Sequence, residues 1–186
     1  MIRSFLCTLL LLPWLGVAEA AEEWKMVPAD SRLQFIITYE KQAAPGVFKQ
    51  FDTRLKFDAE RPAASQLVVI VAIPSADMDS AEVNDGIRAP EWFDFAGFPQ
   101  AEFRASDIRR TDAGRYVARG TLKLKGVQRE VAVPFTWARS GDTATMEGDV
   151  TLNRLAFNVG TGEWAAGDVI GLDVKVKFKV KLRKAG

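Results

Sequence analysis

The chemistry open to this chain is narrowed first by what it lacks, for there is no histidine among its 186 residues. That removes the usual general base, the most frequent metal ligand and the partner that activates a serine or cysteine nucleophile. The single cysteine, Cys7, stands close to the N-terminus, so the remainder of the chain has no thiol for redox or covalent work. Carboxylates remain. Glu40, Asp52, Asp58 and Asp94 are the candidates for paired acid–base work on a glycan or a lipid phosphate, which requires two groups converging in one cleft. Their places on outward strand positions favour solubility as their role instead. Gly160-Thr161-Gly162-Glu163-Trp164 has the look of a nucleotide loop but lies between strands, precedes no helix and lacks the lysine of a phosphate loop. The residues therefore point to a binding protein and not an enzyme, with no metal and no cofactor expected.

The elements that would position any site are strands. Ile170, Leu172, Val174, Val176, Phe178, Val180 and Leu182 alternate with Gly171, Asp173, four lysines and Arg183, one face apolar and the other wet. Leu33 to Tyr39 and Phe51 to Phe57 repeat the rhythm, and Leu67 to Ile73 is apolar on both parities. Tyr116 to Leu124 and Val131 to Trp137 form a hairpin around Lys125-Gly126, and Ser140-Gly141-Asp142 turns the chain into Ala144 to Leu152. The exception is Asp77 to Phe98. There Asp79 or Ser80 can cap a short helix ending near Arg88, and Trp92, Phe93, Phe95 and Phe98 must lie over an open end or seam. The expectation is an all-β antiparallel barrel of about eight strands with a short helix after the third. Such a barrel is either filled by side chains or just wide enough for one small ligand. The small inward residues Ala118, Gly120, Ala144 and Gly148 favour open space, and Gly148→Phe is expected to block it; large neighbours such as Phe135 and Trp137 favour a filled core.

Residues 1–20 read as a cleavable signal peptide: Arg3 opens it, Phe5 to Leu15 form its apolar stretch, and Ala18-Glu19-Ala20 ends it. The apolar stretch is about half the ~20 residues of a membrane-spanning helix, so no stable membrane span is expected. Residues 21–186 form the single remaining domain. Formal net charge is +1, which implies no nucleic-acid partner. The row Lys175, Lys177, Lys179 and Lys181 could meet an anionic lipid surface, but a solvated strand face that resists edge pairing is the plainer reading.

Gly46-Val47-Phe48-Lys49-Gln50-Phe51-Asp52, followed by Leu55-Lys56-Phe57-Asp58, resembles the G-x-F-x-x-F-D…F-D segment of the YceI-like family. Ser75-Ala76-Asp77, Arg88, Trp92-Phe93-Asp94, Phe98-Pro99-Gln100-Ala101-Glu102-Phe103, Gly120 to Val127, and Asn153-Arg154 with Phe157 fall in the family's order. The resemblance implies a lipocalin-like periplasmic polyisoprenoid-binding protein whose apolar lumen holds an isoprenoid lipid, either an isoprenoid quinone or a polyprenyl, and a possible homodimer. The alternatives are a structural or stress-related barrel with a filled core, or a carboxylate-dependent hydrolase. Family members often carry histidines near the helix, where this chain has Ser80 and Gly86, so no imidazole role at the head group carries over.

The candidate lumen wall is Phe35, Ile37, Phe51, Leu55, Phe57, Leu122, Phe135, Met146, Val174, Val176 and Phe178. Trp92 and Phe93 are placed at the mouth, with Arg88 and Arg154, at positions recurring in the family, as candidates to steady a polar head group. Ion pairing or carbonyl contact is the alternative role for the two arginines.

Overall fold

A computed structural model describes residues 21–186. The expected signal peptide, with Cys7 and the cleavage point after Ala20, lies outside the described residues. The strands are β1 (Glu22–Met26), β2 (Arg32–Tyr39), β3 (Gln42–Phe48), β4 (Phe51–Phe57), β5 (Gln66–Ala72), β6 (Ala76–Asp77), β7 (Gln100–Asp112), β8 (Arg115–Leu124), β9 (Val127–Ser140), β10 (Thr143–Asn153) and β11 (Asp173–Lys184). One α-helix, α1 (Ala81–Gly86), follows β6. Ser80 caps it, accepting from the Val83 amide at 3.4 Å. Thus the helix comes after the sixth strand and not the third. β1, β3 and β6 escape a reading by alternation because β1 and β6 are short and β3 carries Ala43, Ala44, Pro45 and Gly46 in succession.

Eight staves close a ring in the order β1, β4, β5, β7, β8, β9, β10, β11 and back to β1, every pair antiparallel. Closure gives every stave of the ring a paired neighbour on both sides, so none stands as an edge strand. The chain's first stave is broken: Pro28–Asp30 forms a 3-10 turn, so β1 pairs with the C-terminal part of β11 and β2 with its N-terminal part. At the same level β4 continues upward as β3, which pairs with β2 and β6. The end where Trp24 faces Lys184 is here the lower end; the β2–β3 hairpin and residues 78–98 stand at the upper.

Inward side chains differ between the two ends although their alternation is the same. In the lower half Trp24, Leu55, Phe57, Tyr116, Ala118, Phe135, Ala144 and Leu182 are all buried in one cluster. The Phe57 ring meets Tyr116 at 5.1 Å, Phe135 at 6.0 Å and Trp137 at 4.7 Å, and Trp24 packs edge-on to Trp137 at 5.1 Å. These are the separations aromatic pairs favour, so this end is solid.

Candidate functional site

The upper half is hollow. A cavity of about 220 Å³ runs inside it, walled almost entirely by apolar side chains. Phe35, Ile37, Phe51, Leu122, Met146, Val174, Val176 and Phe178 line it, as the strand parities anticipate, and Trp92 and Phe93 close it from the segment 78–98. Sequence reasoning passed over Phe48 on β3, Val131 and Val133 on β9, Val150 and Leu152 on β10, and Met78 and Ile87 beside α1. The two strand pairs carry the same alternation as their neighbours, so the signal was present; the loop residues had no periodicity to reveal them.

Three expected wall residues lie elsewhere. Leu55, Phe57 and Phe135 belong to the solid lower cluster, because the inward face of each stave runs through both halves and parity alone does not say at what height a residue sits. The small inward residues do not leave room either. Ala118 and Ala144 are fully covered within the lower cluster, and a side chain at Gly148 would run into the Pro134 carbonyl and the Phe178 ring, 2.8 Å from its Cζ. Phe178 stands opposite Gly148 in register, just as Phe35 stands over Gly46, so aromatic rings fill the glycine gaps. Gly148→Phe therefore disrupts the wall instead of plugging the lumen.

The two arginines separate. Arg88 is exposed, lies 3.5 Å from Asp85, and borders an outer polar hollow with Lys49, Asp77 and Asn84 and not the apolar cavity. Arg154 is 4% exposed and does border the cavity. Its Nε donates to the Gly171 carbonyl at 3.0 Å, one terminal nitrogen to Val159 and Gly160 at 3.0 and 2.6 Å, and the other to Trp164 and Ile170 at 2.5 and 2.8 Å. Five N–H groups meet five backbone carbonyls, which uses the whole guanidinium inventory and leaves none for a ligand. Burial lowers the Arg154 pKa from its ordinary value. Arg154 is thus the peg that holds the loop 158–171, and its guanidinium carbon lies 5.6 Å from the centre of the Trp92 ring.

That loop and the segment 78–98 form one lid. Glu91 accepts from the Gly160 and Thr161 amides at 2.8 and 3.0 Å, and Trp92 lies 5.8 Å from Trp164. Gly160, at φ 71°, has no room for a side chain between Arg154 and Trp92. From the β8–β9 turn Lys125 donates to Pro90 and Asn158, each at 2.6 Å, joining both parts of the lid. Burial lowers the Lys125 pKa, with Asp94 and Glu91 acting in the opposite sense.

Within the cavity the chemistry is sparse. Thr53 borders it, is 1% exposed, and its hydroxyl has no hydrogen-bond partner among the described residues. The carboxylates weighed above are engaged at the surface: Asp52 with Arg54, Asp58 with Arg61 and two amides, and Asp94 with the Gly97 amide, while Glu40 forms a hairpin tip at φ 46°. A cavity with this lining can hold hydrocarbon and offers few directional contacts.

The YceI-like domain model matches residues 24–182. The chain belongs to the YceI-like family. A Photorhabdus laumondii protein of the UPF0312 group is 33% identical over 86 residues, 46% of this chain and 44% of that one. The crystal structure of Burkholderia cenocepacia BcnA superposes with a TM-score of 0.82 at 32% identity, covering 84% of this chain and 98% of that one. A polyisoprenoid-binding domain from Saccharophagus degradans shares the fold at 13% identity, with a TM-score of 0.70 over 90% of this chain and all of its own. Among the described residues no helix of this YceI-like domain is long and apolar enough to cross a membrane.

Proposed function

We propose that this YceI-like protein is a periplasmic carrier or store for one long-chain isoprenoid lipid, a quinone or a polyprenyl, with its tail in the upper half of the barrel. The observation that carries the reading is the apolar cavity of about 220 Å³ in the upper half, while the inward residues of the same staves below it are packed solid. Its volume is below the ~300–1,000 Å³ of ordinary small-molecule pockets, so this conformation encloses only part of a long tail. Cavity-lining side chains supply the tail site. The polar head lies at the lid end beside Trp92 and Phe93, and Arg154 serves it only by fixing the lid. The outer hollow of about 600 Å³ is lined by Lys49, Asp77, Asn84 and Arg88 and suits no hydrocarbon. A filled structural barrel describes the lower half alone.

Native mass spectrometry and solvent extraction of protein purified from its own host test the reading. A neutral prenyl lipid is expected to copurify, and the same spectra report whether the implied two-fold dimer forms. Added prenyl quinone is expected to change the fluorescence of Trp92 and Trp164, with Trp24 and Trp137 remote in the solid half. Repeated gentle preparations without lipid, together with unchanged fluorescence, sink the carrier.

A further inference from the structure

The hydrogen-bonded ladder around the barrel is interrupted above its middle. β9 and β10 pair only from Ser140 opposite Thr143 to Thr136 opposite Glu147. Beyond that point β9 continues to Val127 paired with β8 alone, and β10 continues to Asn153 paired with β11 alone. The ladder stops for a chemical reason. Pro134 has no N–H to donate, and its carbonyl points at Gly148, where any Cβ would collide with it. No ladder pair joins the facing edges beyond that point, and the next bond between the two sides is at the top, where Arg129 Nε donates to the Ala156 carbonyl at 3.3 Å. About six residues lie between these two points, roughly 20 Å of strand. The interior side chains on either side are Val131, Val133, Val150 and Leu152, all of them cavity wall.

We infer that this window between β9 and β10 is the portal through which the cargo's tail slides sideways into the cavity. The inference rests on the lipid-carrying reading and adds a route and a selectivity to it. Two openings compete, and their fastenings decide between them. Raising the segment 78–98 off the loop 158–171 breaks the Lys125 bond to Pro90 and the two amide bonds to the Glu91 carbonyl, and it pulls Trp92, Phe93 and Ile87 out of the cavity. Widening the window breaks no ladder hydrogen bond. Parting β10 from β11 or β8 from β9 would break ladders that run the whole length of the shorter strand. A slot of this form admits a thin, flexible tail along its length while the polar head stays outside, so it selects linear prenyl chains over rigid fused-ring lipids of similar hydrophobicity. The exposed residues on its outer lips, Glu130, Ala132 and Pro134 on β9 and Asp149 and Thr151 on β10, include charges and a proline that discourage another strand from adding to the free edges.

The test closes the window covalently. Ala132 and Thr151 are exposed and fall opposite each other when the β9–β10 register is extended. In a Cys7→Ser background, Ala132→Cys with Thr151→Cys is joined by a short bifunctional thiol reagent, and uptake of prenyl quinone is followed by tryptophan fluorescence. The reference is the same protein capped with a small monofunctional reagent. Linking is expected to slow uptake and release at least tenfold. A Glu91→Cys, Thr161→Cys link that ties the segment 78–98 to the loop 158–171 pegged by Arg154 is expected to leave the rates within twofold. Thr151→Cys alone, carrying a bulky maleimide adduct, is expected to slow uptake as well. Unchanged rates in the linked window, or slowing by the lid link, overturn the portal while leaving the carrier standing. Absence of quinone uptake by the capped reference overturns the carrier and the portal together.

Discussion

The lower and upper halves of this barrel are built from the same staves and the same alternation, yet one is solid and the other hollow. Below, the inward positions hold Trp24, Phe57, Tyr116, Phe135 and Trp137, whose rings interlock at 4.7 to 6.0 Å. Above, β9, β10 and β11 turn inward Val131, Val133, Val150, Val174 and Val176, short side chains that border the cavity. The lower half provides the cohesion that lets the upper half leave apolar surface unpacked. A barrel of this size that keeps such a cavity needs this division, since a void lined by methyl groups forfeits packing contacts.

The comparison is most sharply tested by deleting matched side chains. Phe57→Ala removes the ring at the centre of the solid cluster and is expected to cost about 3–5 kcal/mol in urea denaturation, without lowering lipid affinity per folded molecule. Arg154→Ala leaves five carbonyls without their donor. We expect a loss of about 3 kcal/mol, with faster hydrogen exchange confined to the loop 158–171 and the lid while lower-half amides keep their protection. If exchange rises equally in both halves, the halves are not separate units of stability. Thr53→Val removes a buried hydroxyl that has no partner among the described residues and is expected to stabilise the protein by about 1 kcal/mol. A loss instead would mean that the hydroxyl is satisfied by a bound molecule or water. Val174→Ala, at a wall that already borders empty space, is expected to cost under about 1 kcal/mol by the same denaturation measurement, near the low end of core truncations.

The smallest expected effect is electrostatic and belongs to the upper half. Hydrogen bonding from Lys49, then from Asn84 and the Asp79 amide, holds the Asp77 carboxyl down to about 2. A depressed folded value contributes stability that is present above the unfolded pKa of about 3.9 and is lost as pH falls through the folded one. Melting temperature is therefore expected to fall between about pH 4 and pH 2 more steeply in the natural protein than in Asp77→Asn. Identical slopes would show that this ion pair at the foot of α1 does not contribute to folding.

Much of this was legible in the residues. Alternation on Leu33–Tyr39, Phe51–Phe57 and Ile170–Leu182 located staves and their inward faces, and the aromatic run Trp92 to Phe98 marked the covering segment. Height along the axis was not legible, which is why Leu55, Phe57 and Phe135 were grouped with true wall residues. A usable signal existed in side-chain size. On β9 the inward series runs Val131, Val133, Phe135, Trp137, small to large from the hollow end to the solid one. Arg154 could not be resolved from sequence because its five partners are backbone carbonyls, which every residue carries and no motif spells. The parting of β9 from β10 was likewise hidden, although Pro134 within an apolar strand was its one visible mark.

Ring closure has a consequence for how the molecule is made. β1 finds its neighbours only when Trp24 meets Lys184 on one side and Leu55 on the other, so the floor joins the first strand of the domain to the last. A chain emerging from its N-terminus cannot complete the barrel until its final dozen residues are available. Loss of Val180–Lys184 would leave β1 held on one side and expose two raw strand edges to other copies, turning a small C-terminal truncation into an aggregation hazard.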